Sequence, residues 1–364
     1  MLKNQNQRKR RKKLSSARPH IALGLSGGVD SATSAALLLS EGYQVTGVTC
    51  VFCDGDDAVS NIQAAESVCR HLGIDHVVYE AQEIFNQEVI HPFIHDCASG
   101  LTPAPCVMCN RHCKIPVLCA AADELGCDKV ATGHYARVIQ DRKTARFALK
   151  RALDESKDQS YMLSLLTQDQ LARLVLPLGG YTKLEVRAYA EEHGIPVAHR
   201  AESQDLCFIT GDYRDFLRDA GIEDERGKIV TFEGEIVGEH KGLHHYTLGQ
   251  RKGLGVAMGE PYFVVAKDPH NNTIVIAPKN RTFISSLEVK DLNWMFEIPQ
   301  GPCMVKIRYR SKPALADVVV LDGGRARINF YDPQSLTAPG QCCAIYQGSD
   351  LLGGAIIDRV FFLE

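Results

Sequence analysis

The sequence predicts an α/β protein: a doubly wound parallel sheet, then a small β-rich central domain and a C-terminal β-barrel. Three observations predict it. From residue 20 to about 200, short apolar runs alternate with stretches of helical periodicity. The first apolar run ends in a glycine turn that opens an Ala- and Leu-rich helix. After about residue 220 the texture changes to short β-rich pieces separated by turn signals.

Taken in order, Ile21-Ala22-Leu23 reads as a buried first strand and Ala32 to Leu39 as the helix after it. Val45 to Phe52, His76 to Tyr79 and Lys129 to Thr132 read as further strands. The segment around Ile62, Ala65, Cys69 and Leu72 reads as a helix closed by Gly73 at its C′ position. A rigid loop, Thr102-Pro103-Ala104-Pro105, precedes a helix expected to start near Asn110. Residues 228–278 carry hairpin-like turns, and Gly249 to Gly255 is read as a hairpin loop. Met304 to Tyr309, Asp317 to Leu321, Arg325 to Tyr331 and Cys342 to Tyr346 read as barrel strands. The expected boundaries are a basic disordered tail at 1–18, an α/β domain at 19–220, a central domain at 221–282 and a barrel at 283–364.

At 364 residues, 45% hydrophobic and 23% charged, the chain has the composition of a soluble multidomain protein. No apolar run approaches a membrane span, and no signal-peptide core follows the basic start. The 13 cysteines are scattered and odd in number, which favours a reducing cytoplasm and chemical rather than structural thiols. The net charge of −3 hides a split. Residues 1–18 carry eight basic residues and no acidic one, against 33 basic and 44 acidic in the remainder. This tail reads as a solvated extension.

The chemistry starts at Gly24-Leu25-Ser26-Gly27-Gly28-Val29-Asp30-Ser31. Gly27 and Gly28 let successive N–H groups point at one place, and the helix that follows adds its positive end. That is an anion site, with hydroxyls from Ser26 and Ser31 and with Asp30 placed to orient Mg²⁺ on phosphates. It lacks the lysine of a Walker loop. It resembles the Ser-Gly-Gly-x-Asp-Ser loop of the ATP-pyrophosphatase (PP-loop, adenine nucleotide alpha hydrolase-like) enzymes, which cleave ATP between the α and β phosphates.

Two cysteine-bearing loops follow. Cys109 lies where a helix N-terminus is expected, which would lower its pKa. Cys207 lies in Ser203-Gln204-Asp205-Leu206-Cys207-Phe208. With these loops the chain resembles the bacterial tRNA-specific 2-thiouridylases from about residue 20 to its C-terminus. The likeness rests on Gly24 to Ser31, the Thr102 to Asn110 loop, Ala131 to Arg137, Lys157 to Tyr161, Ser203 to Phe208, Tyr246 to Gly255, Lys306 to Tyr309 and Pro339 to Gln341. It implies an enzyme that adenylates the C2 oxygen of uridine 34 in tRNA and replaces it with sulfur, releasing AMP and pyrophosphate. By the same resemblance Cys207 carries a persulfide and Cys109 is its partner, either releasing sulfide or closing a disulfide. The nucleotide would lie against Gly24, Leu25, Ser26, Gly27, Gly28, Val29, Asp30, Ser31, Cys50 and Gly133. The tRNA would meet Ala104, Pro105, Cys106, His134, Lys157, Asp158, Gln159, Arg308, Tyr309 and Gln341. The implied cofactors are ATP and Mg²⁺, and the implied partners are tRNA and a persulfide donor, a cysteine desulfurase or relay protein. The chain is expected to act as a cytoplasmic monomer, with no membrane contact.

One departure matters. Many relatives have Asn at Ala104 and Asp at Cys106, and that Asp is assigned acid–base work that a thiol cannot do in the same way. The change creates Cys106-x-x-Cys109, so Cys106, Cys109 and Cys207 form an alternative set of ligands for a [4Fe–4S] cluster. No other metal site is expected; Cys50-x-x-Cys53 with Cys106-x-x-Cys109 has poor zinc spacing, and His244-His245 shows none. Cys69, Cys119, Cys127 and Cys303 read as small packing residues. Two competitors stay open: a PP-loop amidotransferase synthetase, and a non-catalytic RNA-binding protein with a relic nucleotide loop. Pyrophosphate release that depends on tRNA separates them.

Overall fold

A computed structural model of the protein describes residues 18–200, 206–296 and 298–363. Most of the basic tail, and Ser203 to Asp205 of the second cysteine loop, lie outside the described residues. The first domain contains strands β1 (His20–Gly24), β2 (Gln44–Val51), β3 (Asp75–Glu80), β4 (Lys129–Ala131), the hairpin β5 (Ala136–Gln140) and β6 (Phe147–Arg151), and β7 (Leu174–Val175). Five of them form one sheet in the order β3-β2-β1-β4-β7, every pairing parallel. Ile21 and Leu23 of β1 face a core with Ala35, Leu38, Ala65 and Cys69. Ala22 faces the other way, toward Val48, Ile115, Leu118 and Val130. A sheet buried on both faces needs apolar residues at successive positions, which is why β1 does not alternate. Helices α1 (Val29–Ser40) and α2 (Asp56–Leu72) are two of those that cover it. Gly73 ends α2 at φ +67°, as its position predicts.

The order reverses between β1 and β4, so the loops after these strands face one crevice. In open α/β sheets that is where ligands bind. Gly24 to Ser31 follows β1 and Gly133 follows β4.

The central domain is a four-stranded sheet of β8 (Gly227–Thr231), β9 (Ile236–His240), β10 (Tyr262–Asp268) and β11 (Thr273–Pro278), in the order β10-β11-β8-β9. β9 and β10 therefore lie at opposite edges. The Gly249 to Gly255 run is part of a crossing connection between them, not the hairpin loop expected from its glycines. The third unit closes on itself. Strands β12 (Phe283–Trp294), β13 (Cys303–Lys306), β14 (Ala314–Leu321), β15 (Arg325–Ser335), β16 (Cys342–Gln347) and β17 (Asp350–Phe362) form a six-stranded antiparallel barrel, joined by β12 pairing with β17.

The units are not independent. Central and barrel side chains share one core, in which Ile229, Val264 and Ile276 lie with Ile284, Val305 and Ile345. The hairpin β5–β6 of the first domain extends the barrel sheet, with Leu149 opposite Leu351. Alternation would put one of Cys342 and Cys343 inward and the other into water, yet both are fully buried. Cys343 faces the barrel core. Cys342 faces the α/β domain, whose Tyr161 hydroxyl donates to the Cys342 carbonyl at 2.7 Å. Both faces of β16 are thus interior. One further expectation fails: β13 ends at Lys306, so Arg308 and Tyr309 lie in the turn beyond it, where Ser311 N–H donates to the Arg308 carbonyl.

Candidate active site

The glycine loop is held open by its own side chains. The Ser31 hydroxyl donates to the Gly28 carbonyl at 3.0 Å and accepts from the Ser26 N–H at 3.2 Å. Leu25 N–H continues the sheet onto the Val48 carbonyl. Gly28 caps α1 in an extended conformation with no side-chain acceptor, so the first N–H groups of α1 point into the crevice. Gly27 needs its left-handed φ of +73°, and a Cβ there would overlap Arg200 and Asn61. Gly133 is required for packing: a Cβ would come within 2.9 Å of the Ser31 nitrogen.

Asp30 is anchored rather than free. Lys183 Nζ lies 2.7 and 2.8 Å from its two oxygens, and the Tyr135 hydroxyl donates to Oδ1 at 2.7 Å. Any Mg²⁺ that Asp30 helped to hold would share the carboxylate with this cation. Lys183 starts the helix Lys183–Glu192, so the pair fixes that helix to the start of α1. The sequence reading missed Lys183, because 153 residues separate the partners.

The proline loop leads into a helical run that starts earlier than expected. Pro105 takes the first helical position, which its fixed φ favours, and Pro105–Cys109 is helical. Cys106, not Cys109, therefore sits at the N-terminus. A π-helical segment, Asn110–Lys114, and the helix Ile115–Glu124 follow directly. Such wide turns often mark functional sites. Cys109 is buried, yet its thiol is brought down to about 7. The Cys113 thiol donates to its sulfur, and the Lys114 ammonium and backbone N–H add to the effect against the cost of burial. The expected low pKa is present, but its source is Cys113 and Lys114 rather than a helix dipole. Cys113 is the protonated member of the pair, held well above the ordinary thiol range by that hydrogen bond.

Cys207 stands at the tip of a turn closed by Ile209 N–H on the Leu206 carbonyl. Its side chain is exposed, whereas Phe208 packs against Phe85, Phe93 and Phe216 with ring centroids 5.3 to 5.8 Å apart. Phe208 thereby joins the apolar cluster that holds Cys109 and Cys113, which brings its chain neighbour Cys207 to the edge of that cluster. The Lys114 charge acts on Cys50, Cys106, Cys109, Cys207 and His134 together. Burial pushes the Cys50 thiol up to about 12, and neighbouring protein atoms that displace water raise the thiols of the surface residues Cys106 and Cys207 as well. Burial, with Lys114, holds His134 down at about 3, so its imidazole is neutral. Lys114 is the second residue the sequence reading missed, although it lies only five positions beyond Cys109.

Of the residues expected at tRNA outside the proline loop, Gln341 and Tyr309 lie beside that loop, and several have internal partners. Gln341 donates to the carbonyls of Thr102 at 2.8 Å and Pro103 at 3.2 Å. Asp158 is buried, accepting from the N–H groups of Ala152 and Ser160 and from the Ser160 hydroxyl. Gln159 accepts the Tyr135 N–H at 2.9 Å. Tyr309 lies within electrostatic reach of Cys106, Lys157 and Asp158, with Lys306 over its ring. Arg308 donates to the Leu336 carbonyl.

Among the described residues, one trio of His, Cys, Asp or Glu brings its ligand atoms within 4.8 Å of one another: Asp224, His244 and His245. No cysteines do so, and the split zinc reading has no geometry behind it. Both histidines point Nε2 at Asp224 Oδ1, at 3.2 and 2.5 Å. The Tyr213 hydroxyl donates to the His244 carbonyl, so the cluster ties the helix Tyr213–Asp219 to the central domain. No helix among the described residues is long and apolar enough to cross a membrane.

Comparison with known proteins matches three family models in sequence: a tRNA methyl transferase HUP domain over residues 19–211, a tRNA methyl transferase PRC-barrel domain over 214–278 and an aminomethyltransferase beta-barrel domain over 284–357. The chain is similar to the tRNA-specific 2-thiouridylase MnmA of Moorella thermoacetica, 43% identical over 93% of this chain and 99% of that one. The enzyme of the same name from Chloroflexus aurantiacus is 44% identical over 93% and 98%. Among solved structures, the U34-tRNA thiolase NcsA from Methanococcus maripaludis with its [4Fe-4S] cluster overlays at 20% identity and a TM-score of 0.37. It covers 60% of this chain and 71% of that one, too loose a likeness to carry an argument.

Proposed function

The chain belongs to the tRNA-specific 2-thiouridylase family, ATP-dependent tRNA-uridine sulfurtransferases, and from that premise we propose which of its residues perform the reaction. The loop from Gly24 to Ser31 holds the polyphosphate of ATP, with Cys50 and Gly133 beside the nucleotide and Mg²⁺ screening its charge. The C2 oxygen of uridine 34 attacks the α phosphorus and pyrophosphate leaves. Adenylation is needed because that oxygen is otherwise a poor leaving group.

Cys207 brings a persulfide from a donor protein. Its terminal sulfur attacks C2 and AMP departs with the oxygen. The Cys109 thiolate then attacks the Cys207 sulfur of the adduct, freeing the thiocarbonyl and leaving a Cys109–Cys207 disulfide. The two thiols supply the two electrons, and two equivalents of external thiol restore them, leaving as an external disulfide. An exposed carrier suits loading by a partner, and a buried thiolate near neutrality suits the resolving role. Ala104, Pro105 and Cys106 would meet the target base, with His134, Lys157 to Gln159, Arg308, Tyr309 and Gln341 around it. A base in a folded loop must be turned out to reach this crevice. The setting is the cytoplasm, where tRNA is found.

The observation that carries this reading is the apolar cluster in which Cys109 and Cys113 lie with Phe208, the residue next to Cys207. Nucleoside mass spectrometry of tRNA incubated with ATP and a persulfide donor tests it. Cys207→Ser should abolish 2-thiouridine while tRNA-dependent pyrophosphate release continues; thiolation by that variant through the persulfide donor removes Cys207 from the role. A second reading rests on Cys106, which shares the field of Lys114 with Cys109 and Cys207. These three would hold a [4Fe–4S] cluster, which would supply an open iron for sulfide.

A further inference from the structure

Arg200 reaches the glycine loop from outside the motif. Its Nη1 donates to the Gly27 carbonyl at 2.9 Å. Its Nη2 donates to Asn61 Oδ1 at 2.8 Å and Ser60 Oγ at 3.2 Å, on α2. All three partners are neutral oxygens, and among the described residues no carboxylate pairs with this guanidinium. A permanent cation satisfied only by neutral acceptors retains most of its charge for an anion. The loop it touches is built of N–H groups aimed at an anion. The guanidinium lies against the loop backbone: a Cβ on Gly27, whose φ is +73°, would come 2.6 Å from Arg200 Nη1 and 2.8 Å from the Asn61 carbonyl oxygen.

We propose that Arg200 neutralises the pyrophosphate leaving group on the Ser26 to Asp30 loop. The inference rests on the reading of that loop as the polyphosphate site. Charge develops on the β and γ phosphates as the α–β bond breaks. A fork of N–H donors beside that position stabilises it more than it stabilises bound ATP. The present bonds to Gly27, Asn61 and Ser60 are individually modest, so exchange for a charge-assisted pair is favourable.

The test uses the full chain with tRNA, ATP and a persulfide donor, and compares Arg200→Gln with Arg200→Lys. Inhibition by inorganic pyrophosphate is read. Arg200→Gln should weaken pyrophosphate inhibition roughly tenfold. Arg200→Lys, which keeps the charge, should restore the inhibition to within about threefold. Unchanged inhibition in Arg200→Gln overturns the neutralising role. If Arg200→Gln does not fold, phenylglyoxal labelling of the unmodified protein decides the neutralising role. Pyrophosphate should protect Arg200 in peptide maps, and equal labelling with and without it counts against that role. Failure of the underlying reading looks different: the unmodified protein itself would release no pyrophosphate with tRNA.

Discussion

The side-chain amide of Gln341, at the edge of the barrel, donates to the Thr102 carbonyl at 2.8 Å, on the loop that leads to Cys106 and Cys109. The contact is reinforced by Thr102 N–H on the Pro339 carbonyl and by Gly340, whose φ of +90° lets its backbone lie against Thr102. The barrel is therefore part of the scaffold of the proline loop. Proline fixes the loop's local shape, and the barrel, together with the packing of Val107 against the α/β core, fixes its position relative to the crevice. Gln341→Ala removes two donors to loop carbonyls, worth about 1 kcal/mol each. We expect thiolation to fall roughly tenfold while tRNA affinity, measured by filter binding, falls less. A loss confined to tRNA affinity would show that Gln341 serves the RNA alone.

Asp30 and Lys183 form the second such joint. Lys183 is nearly enclosed, with its side chain 10% exposed, and Asp30 is 31% exposed. Removing one member leaves the other uncompensated in a half-buried place, a loss of about 3 kcal/mol. Asp30→Ala should abolish tRNA-dependent pyrophosphate release, lower the thermal midpoint and leave tRNA binding intact. Lys183→Met should lower the midpoint by a similar amount. Wild-type pyrophosphate release in Asp30→Ala would take Asp30 out of the mechanism.

Much of this was legible in the sequence because the signals are local. The Ser26 loop declares itself through two glycines, two serines and their strand–helix frame, and Gly73 through helix-end chemistry. What was not legible depends on distance along the chain. Lys183 is identified by Asp30 only after folding, and Arg200 by Gly27. The double burial of Cys342 and Cys343 requires knowing that the α/β domain covers the outside of β16. The source of the Cys109 shift was misread for a local reason: Pro105 starts the helix one turn early, which moves the dipole to Cys106 and leaves Cys109 to Cys113 and Lys114. His244 and His245 lacked a partner until Asp224 came to them from 20 residues upstream.

The Cys109 thiolate gives a pH prediction. A thiol lowered to about 7 is mostly ionised above neutrality and loses its charge as pH falls through that value. Thiolation should therefore rise with pH and level off above about 7. Cys113→Ala removes the larger support and Lys114→Met the smaller one. Each should move the acid limb to higher pH, Cys113→Ala further, and an upward shift of one pH unit lowers the rate on that limb about tenfold. Thiolate ultraviolet absorbance during titration gives the same midpoint independently of turnover. An acid limb that neither substitution moves would assign the limb to another group.

Cys106 separates persulfide transfer from cluster chemistry. It lies in the first turn of the helix that carries Cys109 and is exposed at the surface, while protein atoms around its sulfur raise the thiol and Lys114 opposes the shift. If sulfur passes only between Cys207 and Cys109, Cys106 need not ionise. Cys106→Asp would then place at this position the carboxylate commonest in the family, and should keep thiolation within a few-fold. If the three thiolates hold a cluster, that substitution should weaken iron binding, although a carboxylate can itself ligate iron and blunt the loss. The decisive measurement is on unmodified protein purified without oxygen: iron content, the visible charge-transfer absorbance, and thiolation before and after chelation. Persulfide transfer predicts full thiolation by iron-free protein given a persulfide donor. Stoichiometric iron, lost with activity on chelation and regained with it on reconstitution, would make Cys106 a ligand and overturn the two-cysteine relay.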